Sequence, residues 1–261
     1  MKGGKNVGSS TGELRRTLKL RHVVVLGFAY MSPFGVFDTF GIASDVTKGF
    51  VPMAYILVTI AILFTALSYA KLVQIYPFTG SAYTYTTKTM GGHLGFLVGW
   101  TVLLDYLFLP MINALLAYIY LSSMFPTVPK WVWVLGLVVI ITALNIIGVK
   151  ISASANVLMV LFQLLVVVVF IILITKTVIN GPESFSILPF YSDELNTQNL
   201  FAGAAILALS FTGFDAVTTL TEETINPKKT IAQAVVILAI AGGAYLIFVT
   251  YFMQTRSKTM F

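Results

Sequence analysis

Ser32-Pro33-Phe34-Gly35-Val36-Phe37-Asp38 interrupts the first long apolar run of this chain, and Ser210-Phe211-Thr212-Gly213-Phe214-Asp215 interrupts the sixth. Each copy puts a proline or glycine in mid-run and closes on Phe-Asp. Pro33 removes a backbone donor and clashes with the preceding turn, while Gly35 and Gly213 accept unwound backbone. A helix broken there frees N–H and C=O groups, which a membrane tolerates only against protein or a cavity. The copies are offset by five apolar runs, an odd number, so the second enters a bilayer in the inverted sense. Matched breaks in corresponding helices of two inverted halves point to a transporter binding site.

Working outward, the membrane setting follows from composition. Of 261 residues, 57% are hydrophobic and only 10% charged. A water-soluble domain of that size has too little polar surface to enclose so much apolar material. Stretches of about 20 apolar residues are long enough to cross the hydrocarbon core. Seven qualify, at about 21–44, 51–73, 92–124, 131–147, 153–175, 200–220 and 231–252. The third is long enough to require tilt or a kink at Pro110. Trp131 and Trp133 open the fourth as interfacial anchors. The expectation is therefore an all-α integral membrane protein of about seven transmembrane helices, with the first and sixth broken and the halves inverted.

The basic residues set the orientation. With the N-terminus in the cytosol, the inner segments hold Lys2, Lys5, Arg15, Arg16, Lys19, Arg21, Lys71, Lys88, Lys150, Lys228 and Lys229. The opposite side holds Lys48, Lys130, Lys176, Arg256 and Lys258. That asymmetry favours a cytosolic N-terminus. The expected organisation is a cytosolic tail at 1–20, a first five-helix repeat at 21–178 and an extracellular loop at 179–199. Helices six and seven follow at 200–254, then a short tail at 255–261. The tail at 1–20 is not a signal peptide, since the apolar run after it is too long and lacks a cleavage site.

Several function classes drop out. The net charge of +6 sits in connections and at the ends, not in a basic stripe with exposed aromatics, so no nucleic-acid partner is expected. There is no cysteine, and His22 and His93 stand at helix edges, so no metal or thiol chemistry is expected. No nucleophile–base pair suggests an enzyme, and no cofactor is called for. Three carboxylates do fall inside the apolar runs: Asp38, Asp105 and Asp215. A charge near the bilayer centre costs at least about 2.5–3.5 kcal/mol on insertion scales, so each needs a compensating role.

Asp215 is the foremost candidate, because it follows the break at Gly213, where it can meet an ammonium group or exchange a proton. Its bland alternative is a helix cap. Asp38 holds the corresponding place after the first break. Asp105 reads equally well as a hydrogen-bonded strut between helices. Two such acids are able to clamp the ends of a short diamine. Tyr30, Phe34, Phe37, Phe211 and Phe214 cluster at the breaks and offer an apolar or cation–π wall for an amine, packing being the alternative. The stretch from Tyr76 through Pro77 and Gly80 to Tyr85 reads as a structural or gating connection. Glu222, Glu223, Asn226, Pro227, Lys228 and Lys229 form another turn on the same side, with Pro227 positioned to begin the next helix.

Taken in order, these stretches resemble the amino acid–polyamine–organocation permeases. The resemblance is carried by the broken first helix, Pro77-x-x-Gly80-Ser81-Ala82-Tyr83-x-Tyr85 and Gly95-Phe96-Leu97-Val98-Gly99-Trp100. Phe211-x-Gly213-Phe214-Asp215, Glu222-Glu223 and Asn226-Pro227-Lys228-Lys229 complete it. Val36 to Gly41, Leu104 to Asn113 and Gly213 to Leu220 look most like bacterial putrescine importers. The resemblance implies two inverted five-helix repeats, alternating access around the first and sixth helices, and uptake driven by protons, with sodium as the alternative. It also implies a role for Asp215 in substrate or proton handling, and a place in the cell membrane. In that family the second repeat continues through helices eight to ten, whereas this sequence stops after the seventh, so the expectation is a truncated chain. Three readings stay open: a polyamine importer, an amino acid permease, or a non-transporting membrane fragment or partner subunit. The expected partners are a small cationic amine and the lipid bilayer, and a homo-oligomer is compatible with the sequence.

Overall fold

In a computed structural model the described residues are 16–147, 149–180, 187–193 and 195–257. Residues 1–15 and 258–261 lie outside them, as do Glu183 and Glu194 and the side chains of Lys150 and Arg256. The described chain is helical nearly throughout, and its one β-type pairing is a bridge between Leu18 and Thr224. The first span, Leu20–Thr47, consists of α1 (Leu20–Tyr30) and α2 (Val36–Thr47), joined through a 3-10 turn at Pro33–Gly35. Then come α3 (Val51–Ile75), α4 (Ser81–Met90), α5 (Gly92–Met124), α6 (Lys130–Ile147) and α7 (Val149–Asn180). The sixth span begins with α8 (Thr197–Leu207) and continues as two 3-10 segments, Ala208–Phe211 and Ala216–Glu223, before α9 (Pro227–Ser257).

Six spans are long and apolar enough to cross a membrane, and α6, with 18 residues, is a shorter seventh. At 1.5 Å per residue α6 covers about 27 Å, close to a hydrocarbon core of about 30 Å. The chain is thus an all-α, multi-pass membrane protein. The third span is one helix of 33 residues that runs through Pro110. Its length of about 50 Å demands tilt in a bilayer.

The core lies where the two broken spans meet α3 and α9. Val235, Leu238, Ala239 and Val249 on α9 are fully buried there, with Tyr55 on α3 and Val36 on α2. α1 packs on α9, while α2 and α3 both pack on α8. By contrast α5 turns Leu107, Phe108, Met111 and Ile112 outward, as suits a face against lipid.

One local feature exceeds the sequence reading and another follows it. α4 forms inside the stretch read as a connection, because Gly80 turns the chain at φ +113° and the helix then buries Tyr85 while Lys88 sits in its last turn. α9 starts at Pro227, four residues before the apolar run, because proline suits the first helical position. At the start of α8, Asn196 accepts hydrogen bonds from the backbone N–H of Gln198 and Asn199, at 2.9 and 3.2 Å.

Candidate functional site

The first break is built on Ser32. α1 ends at Tyr30, Ser32 takes a left-handed backbone at φ +48°, and Pro33–Gly35 makes one 3-10 turn into α2. The carbonyl of Pro33 accepts from the Tyr245 hydroxyl of α9 at 2.7 Å. Gly35 was expected to be the unwound residue, and it is not. Its φ is −58°, and a Cβ added there meets nothing within 4 Å. Proline fixes its own φ, so the reversal falls on the residue before it. The Phe34 ring lies 4.7 Å from that of Phe37, tilted by 35°, and Phe37 meets Phe170 of α7 edge-on at 5.4 Å.

The second break does turn on its glycine. Gly213 has φ +99°, and a Cβ there would lie 2.5 Å from the Tyr30 carbonyl oxygen and 2.9 Å from its carbon. The two breaks therefore touch backbone to backbone. Phe211 and Phe214 are both buried, Phe211 in the core and Phe214 with its ring 6.1 Å from that of Tyr69. Beyond Asp215 the chain runs as eight residues of 3-10 helix, long for a geometry that seldom exceeds four. Threonines support it: Thr218, Thr219, Thr221 and Thr224 return hydroxyl bonds to carbonyls three or four residues back.

Between the breaks lies a hydroxyl knot. Ser210 shares a 2.8 Å hydrogen bond with Tyr55 of α3 and a 3.3 Å one with Thr39 of α2. Beside it, Met31, Pro33, Ser210, Gly242 and Tyr245 line a cavity with room for about one water molecule. In this conformation the junction is closed around something far smaller than an organic substrate.

The carboxylates separate into different environments. Asp215 is half-buried, and its Oδ2 accepts from the Ser81 hydroxyl at the start of α4, at 2.8 Å. The phenols of Tyr69, Tyr85 and Tyr106 stand within its electrostatic reach. Tyr85 is buried, and its hydroxyl has no hydrogen-bond partner. Burial pushes that phenol up to about 12, so it stays a neutral donor at any physiological pH. Asp38 is also half-buried and accepts from Tyr120 of α5 at 3.1 Å. Asp105 is exposed on α5, where it acts electrostatically on its neighbour Tyr106. Among the described residues none of the three acids forms an ion pair with lysine or arginine.

Thus Asp215, Gly213, Phe214 and Tyr30 come together at the contact of the breaks, with Phe211 behind them. Asp38, Phe34 and Gly35 belong to the other arm, and Asp105 stands outside. Sequence reasoning missed Ser81, Tyr69, Tyr85, Tyr106, Tyr120, Tyr55 and Ser210 as partners. The signal available was a hydroxyl inside or beside an apolar run, where it needs a partner just as a carboxylate does.

Residues 22–258 match the amino acid permease family. Over 249 residues the chain is 46% identical to the low-affinity putrescine importer PlaP of Escherichia coli K12, covering 94% of this chain and 55% of that protein. It is 28% identical to the branched-chain amino acid permease BcaP of Bacillus subtilis, over 88% of this chain and 53% of BcaP. It is 30% identical to cationic amino acid transporter 4 of Homo sapiens, over 90% of this chain and 40% of that protein. The chain spans about half the length of the curated relatives it matches.

Proposed function

Because the chain belongs to the amino acid permease family, we propose that it works as a secondary transporter importing putrescine or a related polyamine across the cell membrane. The observation that carries this reading is Asp215: a carboxylate at the meeting point of two broken helices, beside several hydroxyls and paired with no lysine or arginine among the described residues. A carboxylate kept at membrane depth without a counter-ion is the natural partner of a substrate ammonium group or a coupling proton. The 46% identity to a putrescine importer supports the diamine as cargo. On this reading transport is ion-coupled alternating access around the two breaks, with protons driving it and sodium as the alternative ion. The excess of Lys and Arg in the segments beside α1, α4 and α9 supports a cytosolic N-terminus.

A second reading, an amino acid permease, is favoured by the matches to the branched-chain and cationic amino acid transporters. It requires a seat for a substrate carboxylate on the half-helix N-termini freed by the breaks. Radiolabelled putrescine uptake into proteoliposomes under an inward proton gradient tests both. The proteins compared are the chain, its Asp215→Asn variant, and the chain extended by the C-terminal half of the E. coli importer. Saturable putrescine uptake that Asp215→Asn abolishes, and that amino acids fail to inhibit, is the expected result. Uptake blocked by amino acids supports the second reading. No uptake by either the chain or the extended form refutes both.

A further inference from the structure

Two carboxylates mark the ends of the 3-10 segment that follows the second break, Asp215 before it and Glu222 near its close. Each receives a hydroxyl from a single turn. Ser81 donates to Asp215 at 2.8 Å, and Thr79 donates to Glu222 at 2.9 Å. Gly80 lies between the two donors at φ +113°, and Ser81 itself sits at φ +46°, a left-handed backbone that a residue with a Cβ adopts only at a cost. Ser81 is 8% exposed, so its bond to Asp215 is shielded from water. A disfavoured backbone, an overlong 3-10 helix and two carboxylate bonds thus coincide where α4 meets the sixth span.

We propose that the Thr79–Ser81 turn is a latch on the sixth span, and that an alkylammonium substrate opens it by taking Asp215 from Ser81. This rests on the amine-transport reading above and assigns Ser81 as a positioning residue within it. The chemistry favours the exchange. A serine hydroxyl has one hydrogen to give, whereas an ammonium group has three and a full charge. The Tyr85 hydroxyl, buried near Asp215, offers the incoming group an acceptor lone pair. When Ser81 lets go, its backbone no longer has a bond holding it in the left-handed region. Thr79 then remains as the second hold, on Glu222. The substrate would so loosen the element that must move for the site to change sides.

The test uses the purified chain in lipid nanodiscs. If the latch competes with substrate, Ser81→Ala tightens radiolabelled putrescine binding by roughly three- to tenfold, because the competent fraction rises as a hydrogen bond to a charged group is lost. Ser81→Gly removes the same hydroxyl without the backbone penalty, and the same direction is expected. Asp215→Asn should abolish binding in either background. The chain has no cysteine, so Val217→Cys introduces its single thiol at a fully buried position on the 3-10 segment. Alkylation of that thiol should speed up several-fold with Ser81→Ala, and also when putrescine is added to a chain that retains Ser81. Weaker or unchanged putrescine binding in Ser81→Ala overturns the proposal, as do Ala and Gly variants that shift affinity in opposite directions. Absence of putrescine binding in every variant would instead refute the transport reading. The labelling rate then decides the latch alone: acceleration by Ser81→Ala supports it, and an unchanged rate removes it.

Discussion

Replacing Gly213 by alanine should damage this protein far more than the same change at Gly35, although the two glycines hold matching places in the sequence. At Gly213 two penalties combine. Its φ of +99° is foreign to a residue with a Cβ, and forcing one into a left-handed backbone costs about 1–2 kcal/mol. The added methyl would also lie 2.5 Å from the Tyr30 carbonyl oxygen and 2.9 Å from its carbon. Those are backbone atoms, which cannot rotate aside, so the two broken spans must separate, at about 1–3 kcal/mol by analogy with overpacked cores. The sum is roughly 2–5 kcal/mol. For a chain of this size each kcal/mol lowers the melting point by about 2–4 °C, so a central value near 3 kcal/mol gives a loss of roughly 6–12 °C. At Gly35 the backbone is already helical and the space is open, so alanine should be neutral or stabilise by about 0.4–1 kcal/mol. Heating the detergent-purified variants and measuring the surviving monodisperse fraction by size-exclusion chromatography gives both midpoints. Equal losses for the two variants, or a Gly213→Ala midpoint within about 2 °C of the parent, would refute the contact between the breaks.

Other consequences follow from the same geometry. Tyr55→Phe should lower stability by about 0.5–1.5 kcal/mol, since Ser210 keeps Thr39, and Ser210→Ala by about 1–3 kcal/mol, since it takes the close partner of the buried Tyr55 hydroxyl. The double variant should cost less than the sum of the two, and the same heat challenge reads this coupling. Asp38→Asn should weaken equilibrium putrescine binding by about tenfold, in keeping with the loss of one charge-assisted contact. Asp105→Asn should leave binding within about twofold by the same radioligand assay, because that side chain is exposed and apart from both breaks.

The spans and their breaks were legible because both leave marks in composition. Twenty apolar residues in a row are difficult to place anywhere but a bilayer, and Pro33 and Gly213 stand out within them. The finer geometry was not legible, for physical reasons. Ser32 rather than Gly35 carries the first reversal, and the Pro33 carbonyl beside it is answered by Tyr245, 212 residues further along the chain. α4 escaped because ten mostly polar residues lack the apolar length that announces a span. The partners of Asp215 and Asp38 lie 134 and 82 residues away in the chain, and no local pattern encodes contacts at such range. What the sequence did carry was the demand: a carboxylate inside an apolar run requires donors somewhere. The site's chemistry was therefore readable before its membership.

That membership changes how the two acids can act. From sequence, Asp38 and Asp215 looked able to grip the two ends of one short diamine. The long helix α5 meets the two acids at different points along its length. Tyr120 donates to Asp38, while Tyr106 is the α5 residue within reach of Asp215. The two tyrosines lie fourteen residues apart on one helix, about 21 Å along its axis. The two acids are therefore served by well-separated stretches of α5. Given the proposed function, the acids then act in succession. Asp38 and Tyr120 would meet an ammonium group on one side of the water-sized junction, and Asp215 would receive it on the other. On that proposal the Gly213–Tyr30 contact has to give as the substrate passes, and the Thr79–Ser81 turn is where the sixth span would be released. The break, the acid after it and the turn that restrains it are then parts of one moving joint.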